Sequence, residues 1–471
     1  MTGNIILYGC LELDGFEGFD LEELRVEKSL NEHTALTVVG NLWDENKDEF
    51  IDEIILNGEI AVKRDGTPVF SGIITDISVT KADDVHRIKI TGYSHTCLMD
   101  VEKRSRSFQD VNMTYKSLIN AVASGKEGAF MDKITEAAKI GQPVIQYNET
   151  DWAFLKRMAS RFKTSLVTNI VDSGPQFYFG LPDIARGGLV AHNYAVKKDL
   201  RKYKRLSAES DDMFEADCIY YEVETDDIYD LGDKVIFKER EMYVIESLYE
   251  YRGGVIVNRC LLAHERGARA VYIPNNGISG CSIFGKVLSV VRDTVRIHLE
   301  IDEQQDEATA YWYPYASMYA SQDETGWYCM PEVGDTVRLY HPENEESRAM
   351  AISSVKQHDP NEDAAKLDPE HRMSDPDVKY LRTAFGKELK FRPTGIDIIA
   401  KDGTVYMTLE DDGSVTLISS DKISLAAANA ISMKARNVSM EATDYISIKS
   451  KGSSIEMEED IVLKGKEVKT N

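Results

Sequence analysis

Ile423-Ser-Leu-Ala-Ala-Ala-Asn-Ala-Ile431-Ser-Met-Lys-Ala-Arg-Asn-Val438-Ser-Met440 is the stretch on which the reading of this chain turns. Its apolar residues come in pairs one residue apart, and the pattern runs from Leu389 to Leu463. The pairs Leu389/Phe391, Ile396/Ile398, Val405/Met407, Val415/Leu417, Ile423/Leu425, Ile431/Met433, Val438/Met440, Ile446/Ile448, Ile455/Met457 and Ile461/Leu463 begin about eight residues apart. Alternate side chains of a strand share a face, so each pair marks a very short strand. The spacers carry Gly, Asp, Asn, Ser and Lys, including Asp402-Gly403 and Asp412-Gly413, and read as turns. The whole reads as a β-solenoid.

One such strand cannot stand alone. Fixing eight residues costs roughly 8–16 kcal/mol of backbone entropy, and two buried aliphatic side chains return roughly 3–6 kcal/mol. A single-chain solenoid needs about 20 residues or more per coil. A period near eight fits one third of a coil, with three chains sharing each layer. The tail is therefore expected to be an intertwined trimeric β-helix. Its core would be Ile423, Leu425, Ile431, Met433, Val438, Met440, Ile446, Ile448, Ile455, Met457, Ile461 and Leu463, with the alanines between Ala426 and Ala435 at crowded corners. A run of ordinary hairpins is the competing arrangement.

The remaining sequence fills several domains, since 471 residues exceed one core. The fold class is mainly β. Residues 1–100 read as an N-terminal β-barrel-like hub domain, with Leu24–Val39 as one continuous strand and Gly58–Gly72 as a hairpin. Residues 101–164 read as a helical insertion with helices at Tyr115–Ala123 and Asp151–Phe162, the second capped by Asp151. Residues 165–270 read as a second barrel-like hub domain. Five or six short strands in 271–356, Trp327–Met330 among them, suit an OB-fold barrel. A Pro-containing acidic linker, 357–380, leads into the 381–471 spike.

Charge excludes one class of partner. The formal net charge is −25, and phosphate binding needs an excess of Lys and Arg, so no nucleic acid is expected. Lys197–Arg205 holds six basic residues, and Glu209–Asp233 holds eleven acidic and no basic ones. An acidic run is ordinarily a solvated face, and a docking surface is the alternative. From Asp421 onward eight acidic and eight basic residues cancel. No apolar run reaches a membrane span. Met1–Gly18 has no leader pattern, so synthesis in the cytoplasm without a signal peptide is expected.

Chemistry-bearing motifs fail one by one. Gly280-Cys-Ser-Ile-Phe-Gly-Lys286 begins like a phosphate loop, but Val287 stands where Ser or Thr should hold magnesium. Asp44–Asp48 begins like a calcium loop, but Glu49 replaces the turn glycine. The six cysteines make no CxxC pair and the nine histidines no ligand spacing. No catalytic, cofactor-binding or metal residue is assigned, and the protein is not expected to be an enzyme.

Three motifs carry a family resemblance. Asp151-Trp-Ala-Phe-Leu-Lys-Arg-Met-Ala-Ser160 resembles the Trp-x-Phe-Leu-x-Arg-Leu-Ala helix of VgrG spike proteins. Ala310-Tyr-Trp-Tyr-Pro314 resembles the aromatic-Pro strand of their OB barrel. Leu381-Arg-Thr-Ala-Phe-Gly-Lys-Glu-Leu389 is similar to the segment opening their repeats, with Lys387 in place of His. With the order of parts, the resemblance spans the chain and extends to contractile phage tail hub and spike proteins. It implies a homotrimeric structural spike at the tip of a contractile injection system (type VI secretion, phage tail, tailocin or extracellular injector). The N-terminal hub would meet a six-fold inner tube protein and baseplate components. The needle would end on a PAAR-type tip protein, pierce the target-cell membrane, and be expelled with the particle. The alternative is a trimeric β-solenoid tailspike acting on or binding cell-surface polysaccharide.

Overall fold

The computed structural model describes residues 11–13, 19–43, 58–82, 85–123, 130–170, 176–320, 325–355, 374–400 and 403–457. The chain divides into two compact units, Met1–Gln357 and His358–Asn471. Strands dominate both, so the mainly β class is as the alternation predicts.

In the first unit ten strands follow one path: Leu11–Leu13, Glu59–Arg64, Thr67–Ala82, Val85–Tyr93, Ala35–Trp43, Phe19–Ser29, Arg240–Arg252, Val255–Ala263, Ile219–Thr225 and Asn193–Lys198. Asp233–Phe237 pairs with Arg240–Arg252, and Ile184–Gly188 with Asp233–Phe237, making a sheet of twelve. The strands of the two β-rich stretches thus join, Ser29 to Glu23 running antiparallel to Glu246 through Arg252. They keep separate cores. One gathers Leu24, Val26, Leu36, Val38, Ile88 and Ile90 with Tyr249 and Tyr251. The other gathers Val223, Val235, Phe237, Met242, Val244 and Leu262.

Leu24–Val39 is not one strand. It breaks into Phe19–Ser29 and Ala35–Trp43 because Asn31 takes φ 68°, a left-handed conformation that asparagine tolerates better than most residues. Its side-chain oxygen accepts the Leu166 N–H at 2.8 Å, and its carbonyl accepts the Trp152 indole N–H at 2.9 Å. Long-range bonds therefore override the β propensity. The Glu59–Arg64/Thr67–Ala82 hairpin turns as expected at Asp65-Gly66, both at positive φ.

Helices Tyr115–Val122 and Asp151–Arg161 lie within a residue of their expected bounds. The second is capped by Thr150 rather than Asp151: the Thr150 hydroxyl accepts the Ala153 N–H at 3.2 Å. Its Trp152, Phe154, Leu155 and Met158 pack with Phe177 and Phe179 as core. Each such burial contributes about 1.5–3 kcal/mol. A third helix, Leu200–Glu209, was not foreseen; Asp199 caps it by accepting the N–H groups of Arg201 and Lys202.

Residues 282–352 form a closed five-stranded barrel: Ser282–Val291, Thr294–Leu299, Trp312–Ala316, Met350–Ile352 and Thr336–Tyr340. Trp327 is not a barrel stave. Gly326–Trp327 pairs only with Tyr319–Ala320 in a small ribbon outside the wall.

Within one chain, the strands of the second unit pair with their sequence neighbours. Lys379–Arg382, Glu388–Arg392, Gly395–Ala400, Val405–Glu410 and Val415–Ile418 form an antiparallel meander within one chain. Ile446–Ser450 and Ser453–Met457 form another hairpin. Between them, residues 419–445 belong to no strand. Glycines decide the difference. Gly386, Gly403 and Gly413 have φ of 72°, 91° and 87° and reverse the chain, whereas residues 419–445 contain no glycine.

Candidate assembly interfaces

Sequence reasoning assigned no reaction centre, so the sites of interest are those that hold parts together. The Asp151–Arg161 helix is fastened to the barrel by buried charge. Arg157 donates to Glu346 at 2.7 Å, to Glu149 at 2.6 Å and to the Ile145 carbonyl at 2.7 Å. Arg161 donates to the other Glu346 oxygen at 3.0 Å, and Asn275 adds a bond at 3.2 Å. Glu346 is 1% exposed. Burial works against the charge of Arg161, but attraction to Glu346 wins and raises its pKa above the ordinary arginine value. Burial pushes the Glu149 carboxyl up, with Arg157 opposing.

Two further links reach the barrel. Asp302 accepts the backbone N–H of Ser107 at 2.6 Å, and Gln109 spans the Ile297 carbonyl and the Tyr311 N–H. Ile145 lies inside the barrel's apolar core. Asp151, expected as a cap, is instead held from the side by Arg106 and by Gln146 at 2.9 Å. The arrangement resists displacement of the barrel from the helix, since shifting it exposes or strands several ions.

The acidic run is mostly neutralised within the chain. Asp212, Glu215, Asp217, Glu222, Glu224, Asp230 and Asp233 each meet a Lys or Arg, and Asp226 meets His192. Lys197 and Lys198 of the preceding basic run supply two of those partners.

The tail residues stand apart. Ile423, Leu425, Ile431, Met433, Val438, Met440, Ile448 and Ile455 are each more than half exposed. Ile446 pairs with Met457, and Ile448 with Ile455, across the hairpin. Ile461 and Leu463 lie outside the described residues. The meander adds a second bare apolar face, because Phe391 lies opposite Ile396, Ile398 opposite Met407, and Leu409 opposite Val415. Its other face is charged and clamped, Arg392 binding Asp397 at 2.8 Å and Glu410 at 2.7 Å.

Among the described residues no His, Cys, Asp and Glu cluster has a metal-holding arrangement, and no helix is long and apolar enough to cross a membrane. Val287, in the would-be phosphate loop, is buried in a barrel strand. The Asp44–Asp48 motif lies outside the described residues. The Arg157–Glu346–Arg161 joint escaped the sequence reading. The spacing of the two arginines puts them one turn apart on one helix face, but nothing local pairs them with a glutamate 189 residues away from Arg157.

With this geometry in place, comparison defines the class. Residues 285–355 match the model of the type VI secretion system/phage-baseplate injector OB domain. The fold is similar to that of solved VgrG and phage-tail proteins. In particular, it resembles the E. coli c3393 protein, described as a type VI secretion component similar to the T4 tail proteins gp27 and gp5. That match has a TM-score of 0.56 at 14% identity and covers 74% of this chain and 99% of that one. It also resembles a chain of the lidded Francisella PdpA–VgrG complex, with a TM-score of 0.54 at 9% identity, covering 88% of this chain and 80% of that one. No curated protein sequence matches the chain.

Proposed function

We propose that this chain is the structural hub and spike of a contractile injection system, working as a homotrimer. Three first units would build the collar that meets a six-fold tube and baseplate components. Three tails would wrap into the needle that pierces the target membrane, with a PAAR-type tip protein on its blunt end. The role is mechanical rather than catalytic. The observation that carries this reading is the tail itself: its paired aliphatic side chains are bare in one chain. Strands this short gain stability only from neighbours, and such continuous apolar surface is unusual on a monomer. Three tails facing one axis would cover it.

Native mass of the full chain tests the reading. A species of three times the 53.0 kDa chain is expected, persisting on dilution. A single-chain mass, with 389–457 nonetheless protected from protease, would refute it. Mixing the trimer with a candidate tip protein and finding no complex would remove the tip from the proposal.

A further inference from the structure

Acids outnumber bases 80 to 55 in this chain, so its cations have no shortage of partners. Of the six in Lys197–Arg205, Lys197 and Lys198 meet Glu222 and Glu215. Among the described residues the other four make no ion pair. Lys202 donates to the Gly267 carbonyl at 2.7 Å. Arg201 and Arg205 stay exposed on the Leu200–Glu209 helix, and their i, i+4 spacing puts like charges on one face, where they repel. Asp199 does not answer them, because its carboxylate accepts the backbone N–H groups of Arg201 and Lys202 as the helix cap.

Both arginines border a hollow of about 480 Å³. Leu30, Ala268, Val271 and Ile273 line its apolar part. Leu30 and Val271 lean on the buried cluster that includes Leu206 and Ile245, and Ile273 is 37% exposed. A second hollow of about 630 Å³ adjoins it and shares Arg201, Lys202, Ile245 and Glu246. Each is of the size that takes a ligand. The charges lining the first are Arg201, Lys202, Arg205 and Arg269 against Asp199 and Glu246. Arg269 is engaged by Asp212, and Glu246 makes no ion pair among the described residues. Two guanidinium groups thus stand open against one carboxylate. Glu246 borders both hollows and Arg205 only the first, so an incoming anion is steered to the Arg205 end.

We infer that this groove docks an acidic segment of another protein: its carboxylates pair with Arg201 and Arg205, and one aliphatic or aromatic side chain between them enters the hollow beside Ile273. A guanidinium matches a carboxylate through two parallel hydrogen bonds, and an apolar hollow beside it selects for an anchoring side chain. Nucleic acid is disfavoured, since it needs a longer cationic track and the chain carries a net charge of −25. The groove is built from one chain, so it stands or falls apart from the trimeric reading.

Full-length protein would be used to select from a displayed random-peptide library, and the selected peptides synthesised with a fluorophore for anisotropy titration. Asp and Glu should be enriched around a Leu, Ile or Phe. Binding to Arg201→Glu/Arg205→Glu should be at least ~10-fold weaker than to wild type. Lys116→Glu/Arg252→Glu makes the same change in net charge at two exposed positions elsewhere and should bind as wild type does. If hydrogen exchange over 200–209 shows the first variant unfolded, Arg201→Gln/Arg205→Gln replaces it, with weaker binding again expected. Selection without acidic enrichment, or equal weakening in both charge variants, overturns the inference. A labelled DNA oligonucleotide that binds more tightly than the selected peptides, and loses that binding in the Arg201/Arg205 variant, overturns it in favour of nucleic acid.

Discussion

Replacing Glu346 by alanine removes the acceptor that two buried arginines share. Arg157 would keep Glu149 at 2.6 Å and the Ile145 carbonyl at 2.7 Å. Among the described residues Arg161 would keep only the Tyr115 hydroxyl as a hydrogen-bond partner, 3.4 Å away. The stranded group is therefore Arg161, whose side chain is 11% exposed. Breaking a buried pair on one side costs about 3–5 kcal/mol. Because Arg157 stays paired, the lower end, about 3 kcal/mol, is expected. Hydrogen exchange across a urea series, followed in peptides covering 151–161 and 346–352, would measure it locally where a global midpoint mixes several domains. Arg161→Met/Glu346→Leu, which removes both charges, should recover most of the loss. A single-variant loss below ~1 kcal/mol, or a double-variant loss equal to the sum of the two singles, refutes the coupling.

The other predictions concern separate parts. Burial lowers the His341 pKa to about 4, with Glu346 pulling the other way. An imidazole depressed from ~6.5 contributes stability that is fully present above its ordinary pKa and lost as pH falls toward 4. The barrel should therefore weaken by about 3 kcal/mol over that interval. In His341→Leu the slope in exchange protection should flatten, and an unchanged slope would count against the assignment. Asn31→Gly keeps the left-handed backbone but loses the side-chain bond to Leu166. Asn31→Ala loses both and should cost about 1 kcal/mol more in urea unfolding, and equal losses would remove backbone strain as the cause. Ile431→Asp, at a side chain bare in the single chain, should leave the barrel's exchange pattern intact and reduce the trimer population by native mass; an undiminished trimer would take Ile431 out of the shared core.

What could be read directly follows from range. The Trp152 stripe is a local periodicity, and its helix emerged where the stripe predicted; of the tail pairs, those between Leu389 and Leu417 and those at Ile446/Ile448 and Ile455/Met457 lie in strands, while Ile423/Leu425, Ile431/Met433 and Val438/Met440 lie in none. Partner choice is different. An eight-residue period fits a hairpin or a coil equally, and the reversals at Gly403 and Gly413 settle it for one stretch only. Thr150 displaced Asp151 as cap because Arg106 and Gln146 hold the aspartate elsewhere, which no spacing encodes. The Leu200–Glu209 helix did carry a signal: Asp199 as a cap, with Tyr203 and Leu206 three residues apart. The six cations in Lys197–Arg205 drew the reading to charge rather than to spacing.

The meander explains why assembly would be directional rather than a general stickiness. Its two faces are reversed relative to an ordinary sheet lying on its own core. Arg392, Asp397 and Glu410 saturate one another on one side, so that face has little to offer a partner. The opposite side presents Phe391, Ile396, Ile398, Leu409 and Leu417 bare. A surface of this kind associates through one face only. Two copies laid face to face would each cover a single partner. In the proposed trimer, three such faces would close about one axis and lead the chains together into 419–445, which contain no glycine. Charge pairing on the outside and apolar closure on the inside would then make the same needle stiff along its length and unable to add a fourth chain.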